Sequence, residues 1–188
     1  MPTQPRPPVF ELHIRPMFRL LDREHMTTLV TPGIDLWDLD AVWAMRKVIL
    51  GRLRADGLQN MPGEQTGGPW PAEWITLFER WVATGSDTES GHHLVLVKPD
   101  GPYSVRALTG NQCLLEATVT IPTDGCLVWF GLDSVSSGQR DYTLYLEPAF
   151  PSQPADPMQV EVSETFAKGD VTKIVIHDAN GTQEMPIP

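Results

Sequence analysis

The spacing of apolar residues along the chain changes character near residue 90. Before that point, apolar side chains recur every three or four positions, which is typical of amphipathic helices. After it, they form short or alternating runs separated by glycine, proline and aspartate, which is typical of strands joined by turns. The pattern therefore predicts an α+β chain with the helices first and the strands second.

The first two predicted helices lie between residues 16 and 53. Pro16 suits a first helical turn, so a short helix is expected to begin there and to direct Phe18 and Leu21 inward. Asp38 is a good N-cap, and the helix after it is expected to extend to Leu53. Its apolar stripe consists of Leu39, Val42, Trp43, Ile49, Leu50 and Leu53.

A third helix is predicted after a loop at residues 57–69 that is rich in glycine and polar residues. Pro71 is expected to open this helix, and Gly85 stands where a C-terminal cap belongs. Its apolar face consists of Trp74, Leu77, Phe78, Trp81 and Val82.

The second half predicts seven or eight short strands, which suggests an antiparallel β-sandwich or small barrel. Asn180-Gly181 is a strong hairpin signal near the end. The predicted strands are residues 93–97, 103–108, 113–121, 126–132, 142–147, 158–162 and 171–177. The predicted domains are a proline-rich leader at 1–9, a helical domain at 10–85, a linker at 86–91 and a β domain at 92–188.

The charge balance narrows the range of partners. The formal net charge is −10, so nucleic acid and an anionic membrane surface are not expected to bind. The N-terminus has no apolar run of the kind found in a secretory signal, and no stretch reaches the length of a membrane span. The expected location is the cytoplasm.

The order of motifs in the helical half resembles that of bacterial class I c-type cytochrome modules. An F-x-x-x-I-x-P-x-F entry occupies residues 10–18, Asp35–Val42 resembles the middle helix, Met61-Pro62 stands in the loop, and Glu73–Gly85 resembles the last helix. The resemblance covers residues 10–85 and implies a cytochrome c-like helical domain of three or more helices.

The chain departs from these modules at the haem site. In place of Cys-x-x-Cys-His it has Asp22-Arg23-Glu24-His25-Met26, so both cysteines and the proximal histidine are replaced. Covalent haem needs two thiols and a histidine. Covalent haem c is therefore excluded and no cofactor is expected. Asp22 and Arg23 are best explained as a helix cap or a salt bridge.

The residues around the vacated haem space form the candidate pocket. Five of the six tryptophans lie in this half, and we expect them to fill that space; the alternative is a pocket for a planar aromatic ligand. His13, His25, Met26 and Met61 are alternative ligands for a metal or a non-covalent haem. The candidate pocket consists of Asp22, Arg23, His25, Met26, Trp37, Trp43, Met61, Trp70, Trp74, Trp81, His92 and His93.

The β half contains no motif that specifies a reaction. His92 and His93 would point to opposite faces of a strand, although one of them could face a cleft between domains. Cys113 and Cys126 are expected to be inert core thiols, with a disulfide between them left open. The polar segment 133–142 is interpreted as a hairpin loop with solvated charges, and His177-Asp178 would need a third group to act.

Three functions follow from these observations. The first is a non-haem interaction or accessory module that serves a larger oxidoreductase or biosynthetic enzyme. The second is a small enzyme that acts on an aromatic metabolite in a tryptophan-lined or interdomain pocket. The third is a protein that binds a metal or haem non-covalently. The expected partner is thus a protein or a small aromatic ligand, and the oligomeric state and the question of catalysis stay open.

Overall fold

A computed structural model shows that the chain is α+β and divides into two compact units, Met1–His93 and Leu94–Pro188. The structure describes residues 6–28, 31–55, 62–63, 67–151 and 156–188. Met61, one of the predicted pocket residues, lies outside these ranges. No helix within them is long and apolar enough to cross a bilayer.

In its described residues the first unit contains three α-helices, α1 (Leu20–Thr28), α2 (Leu39–Leu53) and α3 (Ala72–Val82). A turn of π-helix at Phe10–Ile14 and a 3-10 turn at Arg15–Met17 precede them. Residues up to His93 belong to this unit, so the segment predicted as a linker is part of it.

The second and third helices begin where the sequence predicts. The Asp38 carboxylate accepts a hydrogen bond from the Ala41 backbone N–H at 2.7 Å, which confirms the predicted N-cap of α2. The third helix follows Pro71 directly. This helix ends at Val82 and its C-cap residue is Ala83, so Gly85 lies two residues beyond the cap.

The predicted start of the first helix is wrong. Pro16 lies in the 3-10 turn, and Phe18 then takes an extended conformation (φ −83°, ψ 108°), which separates that turn from α1. Phe18 is buried as expected, but Leu21 is 46% exposed. The break after Phe18 rotates the following helix so that it directs no residue fully into the core.

The part of the second unit that the structure describes contains eight strands. Asn180 and Gly181 lie at the tight turn between the last two, as the sequence predicts. The strands are β1 (Val95–Leu96), β2 (Ser104–Leu108), β3 (Gln112–Ile121), β4 (Leu127–Ser136), β5 (Gln139–Glu147), β6 (Met158–Ala167), β7 (Lys173–Asp178) and β8 (Gly181–Pro186).

The strands form two sheets, and one of them is mixed. Sheet A contains β4, β5, β7, β8 and β1, and sheet B has the order β2-β3-β6. All neighbours pair antiparallel except β5 and β7, which run parallel from the Gln139–Lys173 pair to the Thr143–His177 pair. Along the chain, β6 lies between β5 and β7 but belongs to sheet B. The chain therefore enters sheet A again at β7, which runs in the same direction as β5.

The predicted fold class is therefore wrong in its architecture. The β half is neither an antiparallel sandwich nor, in the described part of the chain, a closed barrel, because its larger sheet is mixed and open. The helical half has three short helices, of which α1 has no buried residue, instead of a domain in which all three helices build the core.

Both sheets contribute to one core in the second unit. Alternate residues of β3 and β6 pack with the alternate residues of β5 and β7 that face them. Cys113 and Cys126 are buried in or next to this core as free thiols, not as a disulfide.

Segment 133–142 is a pair of strands, not the predicted loop. β4 continues to Ser136, β5 begins at Gln139, and Gly138 makes the turn with φ +77°. The register shifts between Leu132 and Ser134, so Asp133 forms a β-bulge. The predicted strands at 126–132 and 142–147 are the apolar parts of β4 and β5, and periodicity missed the rest because polar residues occupy most of the positions between them.

Candidate functional site

The segment Asp22–Met26, which the sequence comparison predicts to stand in place of a haem-attachment motif, forms most of α1. The Asp22 carboxylate accepts hydrogen bonds from the Arg19 backbone N–H at 3.0 Å and from the Arg19 guanidinium at 2.9 Å. A carboxylate that reaches back to the backbone before a helix satisfies a donor that the helix leaves unpaired. Asp22 thus has the capping and salt-bridge role expected for it.

Arg23 joins α1 to the segment before α2. Its guanidinium donates to both carboxylate oxygens of Asp35, at 2.7 and 2.6 Å, and lies 4.5 Å from the ring centroid of Trp37. This bidentate contact lowers the pKa of Asp35, with a further contribution from the Trp37 backbone N–H. The Trp37 indole N–H donates to the Phe18 carbonyl at 2.9 Å, so the indole lies beside the start of α1.

The outer surface of α1 is apolar at its first turn. Leu20 is 56% exposed, Leu21 is 46% exposed and Trp37 is 38% exposed. His25 is exposed as well. We call Leu20, Leu21 and Trp37 the α1 face.

Met26 is the one predicted residue of α1 that contacts the core. Its side chain is partly buried against the aromatic cluster, and its carbonyl accepts a hydrogen bond from the Ile34 N–H at 2.9 Å. His25 is exposed on the same helix. His13, on the π-helical turn, accepts a hydrogen bond from the Val9 backbone N–H through Nδ1. Among the described residues no group of three histidine, cysteine, aspartate or glutamate side chains could hold a metal ion.

Four of the predicted tryptophans lie in one chain of ring contacts. Trp43 meets Trp81 at 5.3 Å between ring centroids, Trp81 meets Phe78 at 5.5 Å, and Phe78 meets Trp70 at 6.3 Å. Trp43, Trp70 and Trp81 are buried. Edge-to-face and tilted contacts at these distances are favourable for aromatic rings. Trp74 continues the chain from Trp70 at 5.7 Å but is exposed.

The segment after α3 covers this aromatic core. A Cβ atom on Gly91 would lie 2.7 Å from Trp81 Cε2 and 2.9 Å from Trp43 Cζ3. A Cβ atom on Gly85 would lie 2.2 Å from Trp43 Cη2. The backbone therefore passes so close to both indoles that only glycine fits at these positions.

His92 and His93 lie at the end of this segment, not in a strand. The buried His92 accepts hydrogen bonds at its carbonyl from the Trp81 indole N–H at 3.1 Å and from the Phe10 N–H at 2.9 Å. Its own N–H donates to Thr84 Oγ1. His93 Nδ1 lies 2.9 Å from the carbonyl oxygen of Gly91. The backbone of His92 thus helps to hold the aromatic core together.

The pocket predicted from the sequence is divided into two groups by these contacts. Asp22, Arg23 and Trp37 belong to the surface around α1, whereas Trp43, Trp81 and His92 belong to the interior. Sequence reasoning missed Arg19 and Asp35 as partners of this surface. A signal for Asp35 was present, because an aspartate two residues before Trp37 can accept the backbone N–H of that residue in an Asx turn, as it does at 2.9 Å.

Comparisons of the chain with models of protein families, with curated proteins and with solved structures found no match. The resemblance of residues 10–85 to cytochrome modules therefore stays a prediction, and the function has to be argued from the residues described above.

Proposed function

We propose that this protein is a non-haem accessory module that acts by docking a partner protein on the α1 face. The observation that carries the proposal is that ion pairs of Arg19 and Arg23 hold α1 on its unit although none of its residues is fully buried. A helix held in this way presents its side chains outward in a defined arrangement, at a position where apolar residues are exposed.

Polar contacts near both ends attach α1, together with the packing of Met26 against the aromatic core. Arg19 and Asp22 join at its start, and Arg23 joins Asp35 from its second turn. The Met26 carbonyl accepts a backbone hydrogen bond near its end. These contacts do not depend on burial of the exposed leucines, so Leu20 and Leu21 are available to a partner.

The chemistry of the α1 face favours an apolar partner surface. Arg19 and Arg23 each lie against a carboxylate, so the charges beside the face neutralise one another. Leu20 lies three positions before Arg23, which stacks on Trp37, so leucine and indole share one side of the helix. Exposed apolar side chains of this kind are typical of protein interaction sites.

The packing of the tryptophans favours this function over a tryptophan-lined catalytic pocket. Such a pocket needs open space among the rings, whereas Trp43, Trp70 and Trp81 are each buried against another ring. A core filled by side chains at contact distance gives stability rather than a ligand site.

The proposal is tested with a photo-crosslinking amino acid at position 21, introduced into the full chain in cells of the source organism. The matched control carries the same amino acid at position 48, because Val48 on α2 is also exposed. We expect one crosslinked species of defined mass from position 21 and none from position 48. Leu20→Asp should abolish that species while the circular dichroism spectrum stays unchanged.

Two results would overturn the proposal. One is equal crosslinking from positions 21 and 48, or crosslinking that persists in the Leu20→Asp protein. The other is saturable, stoichiometric uptake of haem by the purified chain with a Soret band, since a resident haem contradicts a non-haem module.

A further inference from the structure

Two buried donors on the inner face of β5 have no hydrogen-bond partner. Tyr142 has no exposed surface, and its hydroxyl, like Nε of Arg140, is unpaired among the residues that the structure describes. The two residues are two positions apart in a strand, so their side chains point to the same face. Buried polar atoms nearly always have a partner in native proteins, and an unpaired one indicates water, an ion or a ligand.

The guanidinium of Arg140 also forms no ion pair with a carboxylate of the described residues. Its Cζ atom lies 5.3 Å from the ring centroid of Phe166 on β6, and the Tyr142 ring lies 6.2 Å from the same ring. The stacked Phe166 covers one face of the guanidinium, while the N–H groups lie in its plane. By contrast, Arg106 on β2 is paired with Glu116 at 3.0 Å.

Both groups remain donors over the physiological pH range. Burial raises the pKa of the Tyr142 hydroxyl, the adjacent Arg140 guanidinium opposes this rise, and Glu164 adds a smaller increase. A protonated phenol beside a guanidinium presents two donors and one positive charge. The complementary group is an anion with two acceptor oxygens, such as a carboxylate.

The surface next to these donors is apolar and open. On β4, Leu132 pairs with Tyr142 and Val135 pairs with Arg140, which places both apolar residues on the face of the sheet that carries the donors. Leu132 is 50% exposed and Val135 is 58% exposed, although Phe130 on the same face is buried. The second half of β4 therefore lies beyond the cover of sheet B and forms an apolar shelf beside the donors.

A negative charge on the neighbouring strand β6 limits how many negative charges the bound anion can carry. Glu164 lies two positions before Phe166 on β6 and shares its face, because both alternate with exposed residues. A second carboxylate near the site disfavours anions with more than one negative charge. A monocarboxylate meets this condition better than a phosphate does.

We propose that the β unit binds an apolar monocarboxylate, with its carboxylate between Arg140 and Tyr142 and its apolar body on Leu132 and Val135. This carboxylate site is independent of the α1 face and of the accessory function proposed above. Its ligand is a small amphipathic acid, such as a medium-chain fatty acid or an arylalkanoic acid.

The test is isothermal titration of the full chain with octanoate, octan-1-ol, acetate and inorganic phosphate in a carboxylate-free buffer. We expect octanoate to bind saturably with a Kd below about 1 mM, and octanol, acetate and phosphate to bind at least about tenfold more weakly. Octanol lacks the carboxylate, whereas acetate and phosphate lack the apolar body. Octanol that binds as well as octanoate would overturn the proposal, since an apolar surface or a water-filled gap then explains the site. Phosphate that binds as well would overturn the assignment to a monocarboxylate.

Variants connect the binding to the named residues. Arg140→Gln should weaken octanoate binding about tenfold or more, and Tyr142→Phe about fivefold, because each removes a donor to the carboxylate. Arg106→Gln is the matched control and should leave the affinity unchanged. If Arg140→Gln fails to fold, Arg140→Lys and Val135→Ala take its place, and both should weaken octanoate binding. Unchanged octanoate affinity in the folded variants would refute the site.

Discussion

The Tyr103 hydroxyl donates a hydrogen bond to Asp178 Oδ2 at 2.7 Å, and both residues are buried. Asp178 also accepts from the Asn180 N–H at 2.7 Å and from Gln183 Nε2 at 3.0 Å. Burial, followed by the contact with Asp178, raises the pKa of Tyr103, so its hydroxyl stays a donor. Tyr103 precedes β2 of sheet B and Asp178 ends β7 of sheet A, so this bond links the two sheets.

Tyr103→Phe is expected to destabilise the β unit by about 1–3 kcal/mol, because it removes one of the two donors to Oδ2 of a buried carboxylate and leaves only Gln183 there. The measurement is urea denaturation followed by far-ultraviolet circular dichroism.

Tyr142→Phe is the matched control for Tyr103→Phe. Its hydroxyl is buried but unpaired in the described part of the chain, so its removal should change the free energy of unfolding little or raise it, in buffer without carboxylates. Equal losses in the two variants would show that the Tyr103–Asp178 bond has no special role.

Gly91→Ala should destabilise the helical unit by about 1–3 kcal/mol, because the added methyl group overlaps the indoles of Trp81 and Trp43. Most tryptophans lie in this unit, so urea denaturation followed by tryptophan fluorescence reports on it directly.

Gly51→Ala adds the same methyl group as Gly91→Ala, but we expect it to raise the stability of the helical unit. Gly51 lies within α2, and a Cβ atom there would have no neighbour within 4 Å among the described residues. Since alanine favours a helix over glycine by about 1 kcal/mol, this variant should gain stability. A Gly91→Ala protein as stable as the wild type would contradict the close packing of the indoles.

Asp35→Asn should lower the stability of the helical unit near neutral pH and lose this effect in acid. The Arg23 contact lowers the pKa of Asp35 in the folded state, so its stabilisation is complete above the unfolded pKa of about 4 and disappears as the pH falls through the lowered value. The measurement is the melting temperature of both proteins between neutral pH and strong acid.

Asp40→Asn is the control for net charge, because it removes one negative charge at an exposed position of α2. The difference between wild type and Asp35→Asn should shrink in acid. A difference that is constant over the whole pH range would mean that ionisation of Asp35 does not stabilise the folded state.

Asp38→Ala should destabilise α2 by about 1 kcal/mol, since the Ala41 N–H loses its acceptor. Asp38→Asn keeps a capping oxygen and should preserve most of the stability. A comparison of the two melting temperatures checks this, and similar losses in both variants would point to the charge of Asp38 rather than to its hydrogen bond.

The sequence by itself determined the order of helices and strands, the cap of α2 and the position of the last hairpin. These features depend on neighbouring residues: Asp38 caps a backbone three positions away, and the turn at Asn180-Gly181 needs a residue with positive φ, which Gly181 supplies (φ +113°). The absence of a Cys-x-x-Cys-His motif is likewise evident from the sequence alone.

Only the tertiary structure decided the parallel pairing of β5 with β7, the exposure of Leu21 and the lack of an ion pair between Arg140 and a described carboxylate. Each of these depends on residues that are distant in sequence. The periodicity of β5 is the same whether β7 runs parallel or antiparallel to it, and an arginine in a strand gives no sign of whether a carboxylate will face it. Such outcomes are set by packing between elements, where many weak contacts act together and local sequence has little influence.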